Sequence, residues 1–380
     1  MSLLVATLMG AAIVNALSAR QNITPLSTFQ IDSFTSYTYF ASAAYCTAAQ
    51  TLAWNCGTNC QVNSGFLPVA SGGDGDFVQY WYVGYDPSLS TVIVAHQGTV
   101  PSKITSLTTL DPTLFPGISS DIEVHSGFKD AQEATATDVL AAVTTAMSKY
   151  GTASVTAVGH SLGGAISLLD SVYLPLHLPA GTSFKTIAYG LPRVGNQAFA
   201  SYVDGNLHLT HINNKEDPIP ICPGMSLGFV HPAGEAHIED SGEWAACPGQ
   251  DNPSTQCIVG GVPYIWDGNE SDHDGPYNGV KMGCGKAMAN AVPHTLLTDS
   301  FVLAVQPFVF ISWALNCMEA RTYIERGFVL GSPQYQRQSL AQSWPYSLSL
   351  LPSSVFRLIR SLHRLSPVSG KVYLTQLPKF

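Results

Sequence analysis

Short apolar runs alternate with longer stretches of helical pattern over most of the chain. The apolar runs are rich in β-branched and aromatic residues and predict strands at Phe77 to Tyr85, Thr91 to Ala95, Ile122 to His125, Val155 to Val158, Lys185 to Tyr189 and Leu207 to Ile212. The longer stretches predict helices at Phe29 to Ala49 and at Phe128 to Tyr150, the second closed by Gly151. Strands that alternate with helices indicate an α/β fold built on a mostly parallel, doubly wound sheet.

The most informative stretch is Ser154 to Asp170, where a buried strand gives way to a helix around one serine. Gly159-His160-Ser161-Leu162-Gly163 is a G-x-S-x-G pattern. In such a turn the serine is held in a strained conformation at the carboxyl end of a parallel strand, and the glycines let strand and helix approach closely. The strand before the turn and the helix after it therefore favour Ser161 as a nucleophile over an incidental serine in a Gly-rich turn.

A serine nucleophile needs a basic partner, usually a histidine that a buried carboxylate orients. On α/β-hydrolase folds with this elbow, the acid and then the histidine follow the serine along the chain, on loops after later strands. Asp217 directly follows the predicted strand that ends near Ile212 and precedes Pro218. Its neighbour Glu216 would point to the other side of the turn, so Asp217 is the predicted acid.

His273 is the predicted base because it lies on a loop late in the domain. His208 and His211 fall inside a predicted strand and precede the acid. His231 and His237 fall in a predicted β-hairpin, Phe229 to Asp240, and both remain possible bases, although His273 is preferred over His231. His160 sits inside the elbow, which is too constrained for the base, and is predicted to pack beside the serine.

Attack by the serine creates an oxyanion that requires preorganised donors. The N–H of Leu162 is one predicted donor, since it follows the nucleophile at the start of a helix. The second is predicted at Gly98-Thr99, directly after the strand Thr91 to Ala95. Glycine allows the backbone to turn inward there, and the hydroxyl of Thr99 adds a donor.

Composition and charge narrow the function class. Of the 380 residues 46% are hydrophobic and 11% are charged, and the net charge of −9 argues against nucleic acid as a partner. Residues 1–290 hold 9 Lys+Arg and 23 Asp+Glu, whereas residues 291–380 hold 8 and 3. We therefore expect one hydrolase domain at 25–290 and a C-terminal tail at 291–380 outside the fold. Ser300 to Met318 is uncharged and just long enough for a membrane tether, which is the less favoured interpretation.

Several features point to a secreted protein. Leu3 to Ala16 is apolar and is followed by small residues, which predicts a signal peptide at 1–19. Asn22 and Asn269 begin glycosylation sequons. The eight cysteines lack zinc-site spacing and indicate disulfides, whose connectivity the spacing leaves open.

Taken together, these motifs resemble the fungal class 3 lipases of the α/β-hydrolase fold. The matching runs are Gly98-Thr99, Val124 to Phe128 (VHSGF), Gly159 to Gly163, Gly190 to Asn196 (GLPRVGN), Asp217 to Pro220 and Asp272-His273. The resemblance implies a secreted hydrolase of triacylglycerols or related esters that needs no cofactor and no metal. It implies Ser161, Asp217 and His273 as the triad. It also suggests the bridges Cys46–Cys284 and Cys56–Cys60, leaving Cys247–Cys257 as a third and Cys317 as the only spare partner for Cys222.

The chain departs from the family pattern at three places. His96-Gln97 stands where the family more often has an aromatic residue and an arginine, so the oxyanion loop is expected to differ in detail. The tail after Ala289 has no counterpart. Val100 to Gly117, where a lid is expected, is short and interrupted by prolines, which predicts weak activation at an oil–water interface.

Two other functions fit the same residues. A feruloyl-type esterase, which acts on plant cell-wall esters, would share the fold and the triad and differ only in the acyl pocket. A secreted binding protein could keep the fold without catalysis, although a complete serine, aspartate and histidine set argues against it.

Overall fold

The structure, a computed structural model, describes residues 22–99, 110–112, 115 and 117–284. The predicted signal peptide at 1–19, the tail at 291–380 with its apolar segment 300–318, Cys317 and most of the predicted lid lie outside these residues. The predicted domain boundaries therefore stay predictions. No helix among the described residues is both long enough and apolar enough to cross a membrane.

The described residues form nine helices and thirteen strands, and helices alternate with strands between residues 126 and 214. The helices are α1 (Thr28–Asp32), α2 (Thr35–Ala43), α3 (Ala48–Ala53), α4 (Thr58–Gln61), α5 (Ser126–Glu133), α6 (Ala136–Tyr150), α7 (Leu162–Tyr173), α8 (Gln197–Asn206) and α9 (Ile258–Gly261). The strands are β1 (Thr24–Pro25), β2 (Leu67–Gly72), β3 (Trp81–Asp86), β4 (Thr91–His96), β5 (Leu110–Pro112), β6 (Glu123–His125), β7 (Ser154–His160), β8 (Ser183–Tyr189), β9 (Gly195–Asn196), β10 (Leu209–Asn214), β11 (Phe229–Val230), β12 (Glu235–Ile238) and β13 (Trp244–Cys247). Short 3₁₀ turns include Leu174–Leu176, Ile265–Asp267 and Glu270–Asp272.

Nine strands form the main sheet in the order β1-β13-β12-β10-β8-β7-β4-β3-β2. Its five central strands, β12, β10, β8, β7 and β4, are parallel, and antiparallel strands flank them on both sides. The central strands therefore all end at one edge of the sheet, which we call the carboxyl edge. Because Trp81 pairs with His96, the loop that leads into β3 lies at this edge as well.

The two faces of the sheet bury alternate residues of each strand. Ile93 and Ala95 pack with α2 on one face, whereas Val92 and Val94 pack with α6 on the other. This period of two is what a strand dictates, since successive side chains point to opposite faces. Helix α7 covers β7 and β8 on the α6 side. Helices on both faces give the doubly wound architecture that the alternation predicts.

The predicted hairpin from Phe229 to Asp240 is wrong. β11 joins a second sheet of order β11-β9-β6-β5, where it pairs with β9. The chain then turns at Pro232 to Gly234, and β12 enters the main sheet parallel to β10. The hairpin present is β12–β13. Pro232 cannot donate to a ladder, and Gly234 has a φ of +104°, so this turn redirects the chain between two sheets.

Two predicted helices are each interrupted. The stretch from Phe128 to Tyr150 divides into α5 and α6, because α5 packs on α7 while α6 packs on β3 and β4. The stretch from Phe29 to Ala49 divides into α1, α2 and part of α3. Helix α3 begins with a capping box in which Thr47 and Gln50 satisfy each other's backbone N–H groups, so the chain starts a new helix there.

Three disulfides join the pairs that the resemblance suggests: Cys46–Cys284, Cys56–Cys60 and Cys247–Cys257. Cys222 is also disulfide-bonded. Its pairing with Cys317 stays a prediction, because Cys317 lies outside the described residues.

Candidate active site

The turn between β7 and α7 holds Ser161 at the carboxyl edge in a strained backbone conformation. Its φ of 57° and ψ of −128° are rare for a residue with a side chain. The N–H of Ser161 donates to the carbonyl of Tyr189 at the end of β8, 2.9 Å away. A Cβ at Gly159 would clash with the carbonyl of Gly163, and one at Gly163 would clash with that of His96. Both glycines are therefore required by close backbone approach, which is the geometry of a nucleophile elbow.

A buried carboxylate and a buried imidazole lie beside this turn. Nδ1 of His273 is 2.8 Å from Oδ2 of Asp217, and the two side chains are 5% and 0% exposed. The other carboxylate oxygen accepts the N–H of Ile219 at 2.9 Å. Nε2 of His273 is buried and has no hydrogen-bond partner among the described residues. The hydrogen bond of Nδ1 therefore orients the ring, and Nε2 is left free to accept a proton.

The loops that carry these two residues are joined to each other. The side chain of Asn214, at the end of β10, donates to the carbonyl of Asp272 at 2.9 Å. The N–H of Asn269 donates to the carbonyl of Glu216 at 2.7 Å. Both bonds link the segment after β10 to the segment that leads into His273, so the separation of acid and base is set by backbone contacts as well as by their own hydrogen bond.

Gly190 is a site residue whose role sequence reasoning missed. It has a φ of +53°, and a Cβ there would lie 2.9 Å from Cε1 of His273 and 3.0 Å from Oδ2 of Asp217. Any side chain would therefore enter the space of the acid–base pair. The available signal was the first glycine of the GLPRVGN run.

The loop that leads to the proposed donor Thr99 packs against the start of α7, where the other proposed donor lies. The carbonyls of His96 and Gln97 pack against the first turn of α7 at Gly163. This contact brings the loop that carries Thr99 next to Leu162, at the positive end of the helix dipole. The hydroxyl of Thr99 is buried without a hydrogen-bond partner among the described residues. Gln97 secures the loop from the other side, because it exchanges two hydrogen bonds with the backbone of Tyr80 at 2.8 and 2.9 Å.

The remaining candidate histidines have other partners. Nε2 of His231 lies 2.8 Å from the carbonyl of Pro220, and its ring stacks on that of His211. Both nitrogens of His237 lie within hydrogen-bond distance of backbone carbonyls, those of Gln256 and Lys215. Residue 208 precedes β10, at the opposite end of that strand from Asp217. None of these rings pairs with Asp217.

Arg193 is a second residue whose role the sequence did not reveal. Its side chain is buried, donates to Asp251 at 2.8 Å, and donates also to the carbonyls of Ile221 and Pro223. These contacts hold the segment that follows Asp217. An arginine inside the GLPRVGN run was the only sequence signal for these contacts.

The other predicted sites can also be placed. Asn22 is exposed, and the side-chain oxygen of Asn269 accepts hydrogen bonds from Ser271, the third residue of its sequon. Glycosylation at both stays a prediction. Among the described residues, Glu235, Cys247 and Cys257 have ligand atoms close enough for a metal, but the two cysteines are bonded to each other and offer no thiolate.

The chain is similar to known lipases in sequence and in fold. Residues 93–227 match the family model described as Lipase (class 3). The chain is 32% identical over 232 residues to the secreted mono- and diacylglycerol lipase MDL2 of Malassezia globosa, over 58% of this chain and 74% of that protein. The triacylglyceride lipase of Rhizomucor miehei has a TM-score of 0.61 and 27% identity, over 69% of this chain and 98% of that one. A triacylglycerol lipase described as having a serine protease triad at its catalytic centre has a TM-score of 0.59 and 25% identity, over 69% of this chain and 98% of that one.

Proposed function

The chain belongs to the class 3 lipase family, with its α/β-hydrolase fold, and is a secreted carboxylic ester hydrolase; we propose that Ser161, His273 and Asp217 perform the hydrolysis. The observation that supports this assignment best is the buried pair of His273 and Asp217 beside the strained serine turn. Asp217 accepts Nδ1–H of His273, which leaves the lone pair on Nε2. That nitrogen is buried and has no hydrogen-bond partner among the described residues.

The reaction follows from these positions. Nε2 of His273 takes the proton of the Ser161 hydroxyl as its oxygen attacks the ester carbonyl, and the oxyanion is held by the N–H of Leu162 and by Thr99. The carbon–oxygen bond to the alcohol then breaks, and His273 gives its proton to the leaving alcohol. Water, activated by the same nitrogen, attacks the acyl-enzyme and releases the acid. Asp217 stabilises the imidazolium that forms in each step.

We propose acylglycerols as the substrates, with mono- and diacylglycerols hydrolysed faster than triacylglycerols. The similar Malassezia protein is named a mono- and diacylglycerol lipase, and it is more alike in sequence than the triacylglycerol lipases of known structure. Rates on emulsified mono-, di- and trioleoylglycerol and on a feruloyl ester test this order. Faster hydrolysis of the feruloyl ester would favour the esterase function instead.

We propose also that the enzyme works on aggregated lipid, and exposed aromatic side chains near the active site support this. Tyr264 and Trp266 stack with ring centroids 4.9 Å apart and are 56% and 59% exposed. Ile265, between them, is buried against Ile219, and Gly268 packs on Pro218. The aromatic pair is thereby fixed to the loop of the catalytic acid. Aromatic rings of this kind suit the boundary between water and lipid.

A third exposed aromatic lies across the carboxyl edge. Phe77 is 89% exposed, in the loop before β3, where the carboxylate of Asp74 accepts three backbone N–H groups and sets the turn. Acidic residues adjoin both aromatic sites, namely Asp74, Asp76, Glu216, Asp267, Glu270 and Asp272. A surface of uncharged acylglycerol suits this charge better than an anionic membrane.

Two sets of variants test these proposals. Ser161→Ala should abolish hydrolysis and labelling by an alkyl phosphonate while the protein remains folded.

Phe77→Ala combined with Trp266→Ala should weaken binding to neutral diacylglycerol droplets about tenfold and leave turnover of a dissolved short-chain ester intact. Leu176→Ala is the matched control, since that exposed leucine follows α7 at the opposite edge of the sheet. Equal losses in both would contradict docking through the aromatic residues.

A further inference from the structure

The imidazole of His160, in the middle of the elbow, lies between a tyrosine and the backbone of the proposed base. Its Nδ1 is 2.6 Å from the hydroxyl of Tyr45, and its Nε2 is 2.7 Å from the carbonyl oxygen of His273. The rings of His160 and His273 have centroids 4.4 Å apart. His160 is buried, so these contacts are made away from bulk water.

The partners determine which nitrogen of His160 carries the proton. A carbonyl oxygen can only accept, so Nε2 must carry the hydrogen that it donates to His273. Burial and the neighbouring His273 hold the pKa of His160 well below its usual value of 6.5, so the ring is neutral. Nδ1 is therefore an acceptor, and the hydroxyl of Tyr45 donates to it.

Tyr45 extends these contacts to the oxyanion loop. Its hydroxyl also lies against the backbone of Gly98, the residue before Thr99. Residue 98 must be a glycine for this contact, because a Cβ at Gly98 would clash with the hydroxyl of Tyr45. The contacts thus run from the backbone of Gly98 through Tyr45 and His160 to the carbonyl of His273, and we call these four residues the positioning chain.

We propose that Tyr45 and His160 are positioning residues that fix the oxyanion loop and the catalytic base in their places relative to the nucleophile. This inference rests on the proposed function of Ser161, Asp217 and His273. The positioning chain joins three parts of the site that come from distant segments: the loop after β4, the elbow itself, and the loop that carries the base. Tyr45 is fixed in turn by its neighbour Cys46, which is bonded to Cys284.

The neutral state of His160 has its own consequence for the reaction. His273 becomes an imidazolium each time it takes the serine proton, and the ring of His160 lies directly beside it. A second positive charge there would oppose that step, whereas a neutral ring does not. The neutral ring of His160 therefore suits the base during catalysis as well as at rest.

The test compares loss of two buried tyrosine hydroxyls. Tyr45→Phe removes the middle of the positioning chain. Tyr82→Phe is the matched control, because that buried hydroxyl donates to the carbonyl of Phe40 at 2.7 Å outside the chain. A displacement of about 1 Å in a reacting group costs on the order of 10²-fold in rate. We expect Tyr45→Phe to lower kcat on a dissolved ester 10- to 100-fold, with KM nearly unchanged, and Tyr82→Phe to leave kcat close to that of the native enzyme.

His160 is tested by a pair of replacements. His160→Gln keeps an N–H that can reach the carbonyl of His273 and should retain more kcat than His160→Leu, which keeps none. In both Tyr45→Phe and His160→Leu, the downfield proton resonance of Nδ1–H in His273 should shift, because the base moves relative to Asp217.

Three results would overturn the proposal: native kcat in Tyr45→Phe, equal losses in Tyr45→Phe and Tyr82→Phe, or equal kcat in His160→Gln and His160→Leu. Failure of the triad would be recognised separately, because Ser161→Ala would then keep its turnover. Thermal midpoints of all variants show whether a loss of kcat reflects unfolding.

Discussion

His96 and Asp170 are hydrogen-bonded to each other inside the core: Nε2 of His96 lies 2.7 Å from Oδ2 of Asp170, and neither side chain has exposed surface. The other oxygen of Asp170 accepts the side-chain amide of Gln132 at 2.9 Å. The contact joins the end of β4, just before the oxyanion loop, to α7 and α5. His96 stands where the family more often has an aromatic residue, and Asp170 provides the polar partner that the histidine needs there.

Breaking this buried pair should be costly. Asp170→Ala leaves donors on His96 and Gln132 without an acceptor, and we expect a loss of about 3 kcal/mol or more in the free energy of unfolding. Lys129→Ala is the control, since Lys129 and Asp111 are 3.5 Å apart with Asp111 41% exposed, and such pairs contribute about 0–1 kcal/mol. Urea unfolding measures both, and similar losses would contradict the prediction.

Kinetics can distinguish Asp217, the proposed acid of the triad, from its neighbour Glu216. Asp217→Asn should lower kcat about 10⁴-fold, because the amide favours the wrong tautomer of His273. Glu216→Gln should leave kcat close to native, since Glu216 contacts the other loop through its backbone carbonyl. Steady-state kinetics on a dissolved ester distinguishes the two, and a large loss in Glu216→Gln alone would reverse the assignment.

The hydroxyl of Thr99 should act in the transition state and not in folding. It is buried without a hydrogen-bond partner among the described residues, so Thr99→Val removes a donor that we expect to bind only the oxyanion. We expect kcat to fall about 10²- to 10³-fold while the thermal midpoint stays equal or rises. A loss of stability without a loss of kcat would show that the hydroxyl serves the fold.

Buried histidines with lowered pKa values should make the fold sensitive to acid. Burial, as the main cause, lowers the pKa of His125 to about 4 and of His211 and His231 to about 3. The unfolded chain takes up these protons near pH 6.5, so their contribution is complete above that pH and is lost as the pH falls towards the folded values. Each group contributes a slope of about 1.4 kcal/mol per pH unit in that window.

His231→Gln tests the pH dependence directly. Glutamine can still donate to the carbonyl of Pro220, but it binds no proton on unfolding. Between pH 6 and 4.5, the slope of the unfolding free energy against pH should therefore be smaller than in the native protein by about 1.4 kcal/mol per pH unit, which corresponds to one proton. An unchanged slope would mean that His231 does not remain neutral in the folded state.

The two disulfides near the amino-terminal helices should differ in their effect on stability. Cys46–Cys284 spans 238 residues of sequence and Cys56–Cys60 spans 4. Loop-closure entropy predicts about 5 and about 2 kcal/mol for the two. Double alanine variants compared by urea unfolding measure this difference. A larger loss from the short bridge would show that local geometry outweighs loop closure.

The candidate active site could be proposed from sequence because much of it depends on local order. The elbow lies within five consecutive residues, so its glycines and strand-to-helix change are visible as a pattern. Asp217 could be chosen because it follows a strand and precedes a proline, and His273 because it comes late in the chain. The structure places these two side chains in hydrogen-bond contact, and their catalytic roles stay a prediction.

Element boundaries were less well predicted, because tertiary packing sets them. The break between α5 and α6 depends on which neighbour each half packs against, and periodicity is the same on both sides of it. The strand predicted from Phe77 begins at Trp81, since the carboxylate of Asp74 holds the preceding residues in a turn. Val230 and Glu235 enter different sheets although only a short turn separates them.

The sequence by itself determined the order of strands and helices, the serine turn and the residues most suited to act with it, because these depend on local sterics and on the period of apolar positions. Only the tertiary structure decided that Tyr45 meets His160, that His96 meets Asp170 and that His211 stacks on His231. The first two pairs join residues 115 and 74 positions apart. An apolar pattern records that a position is buried, but the partner of a buried polar group follows from the order of strands in the sheet.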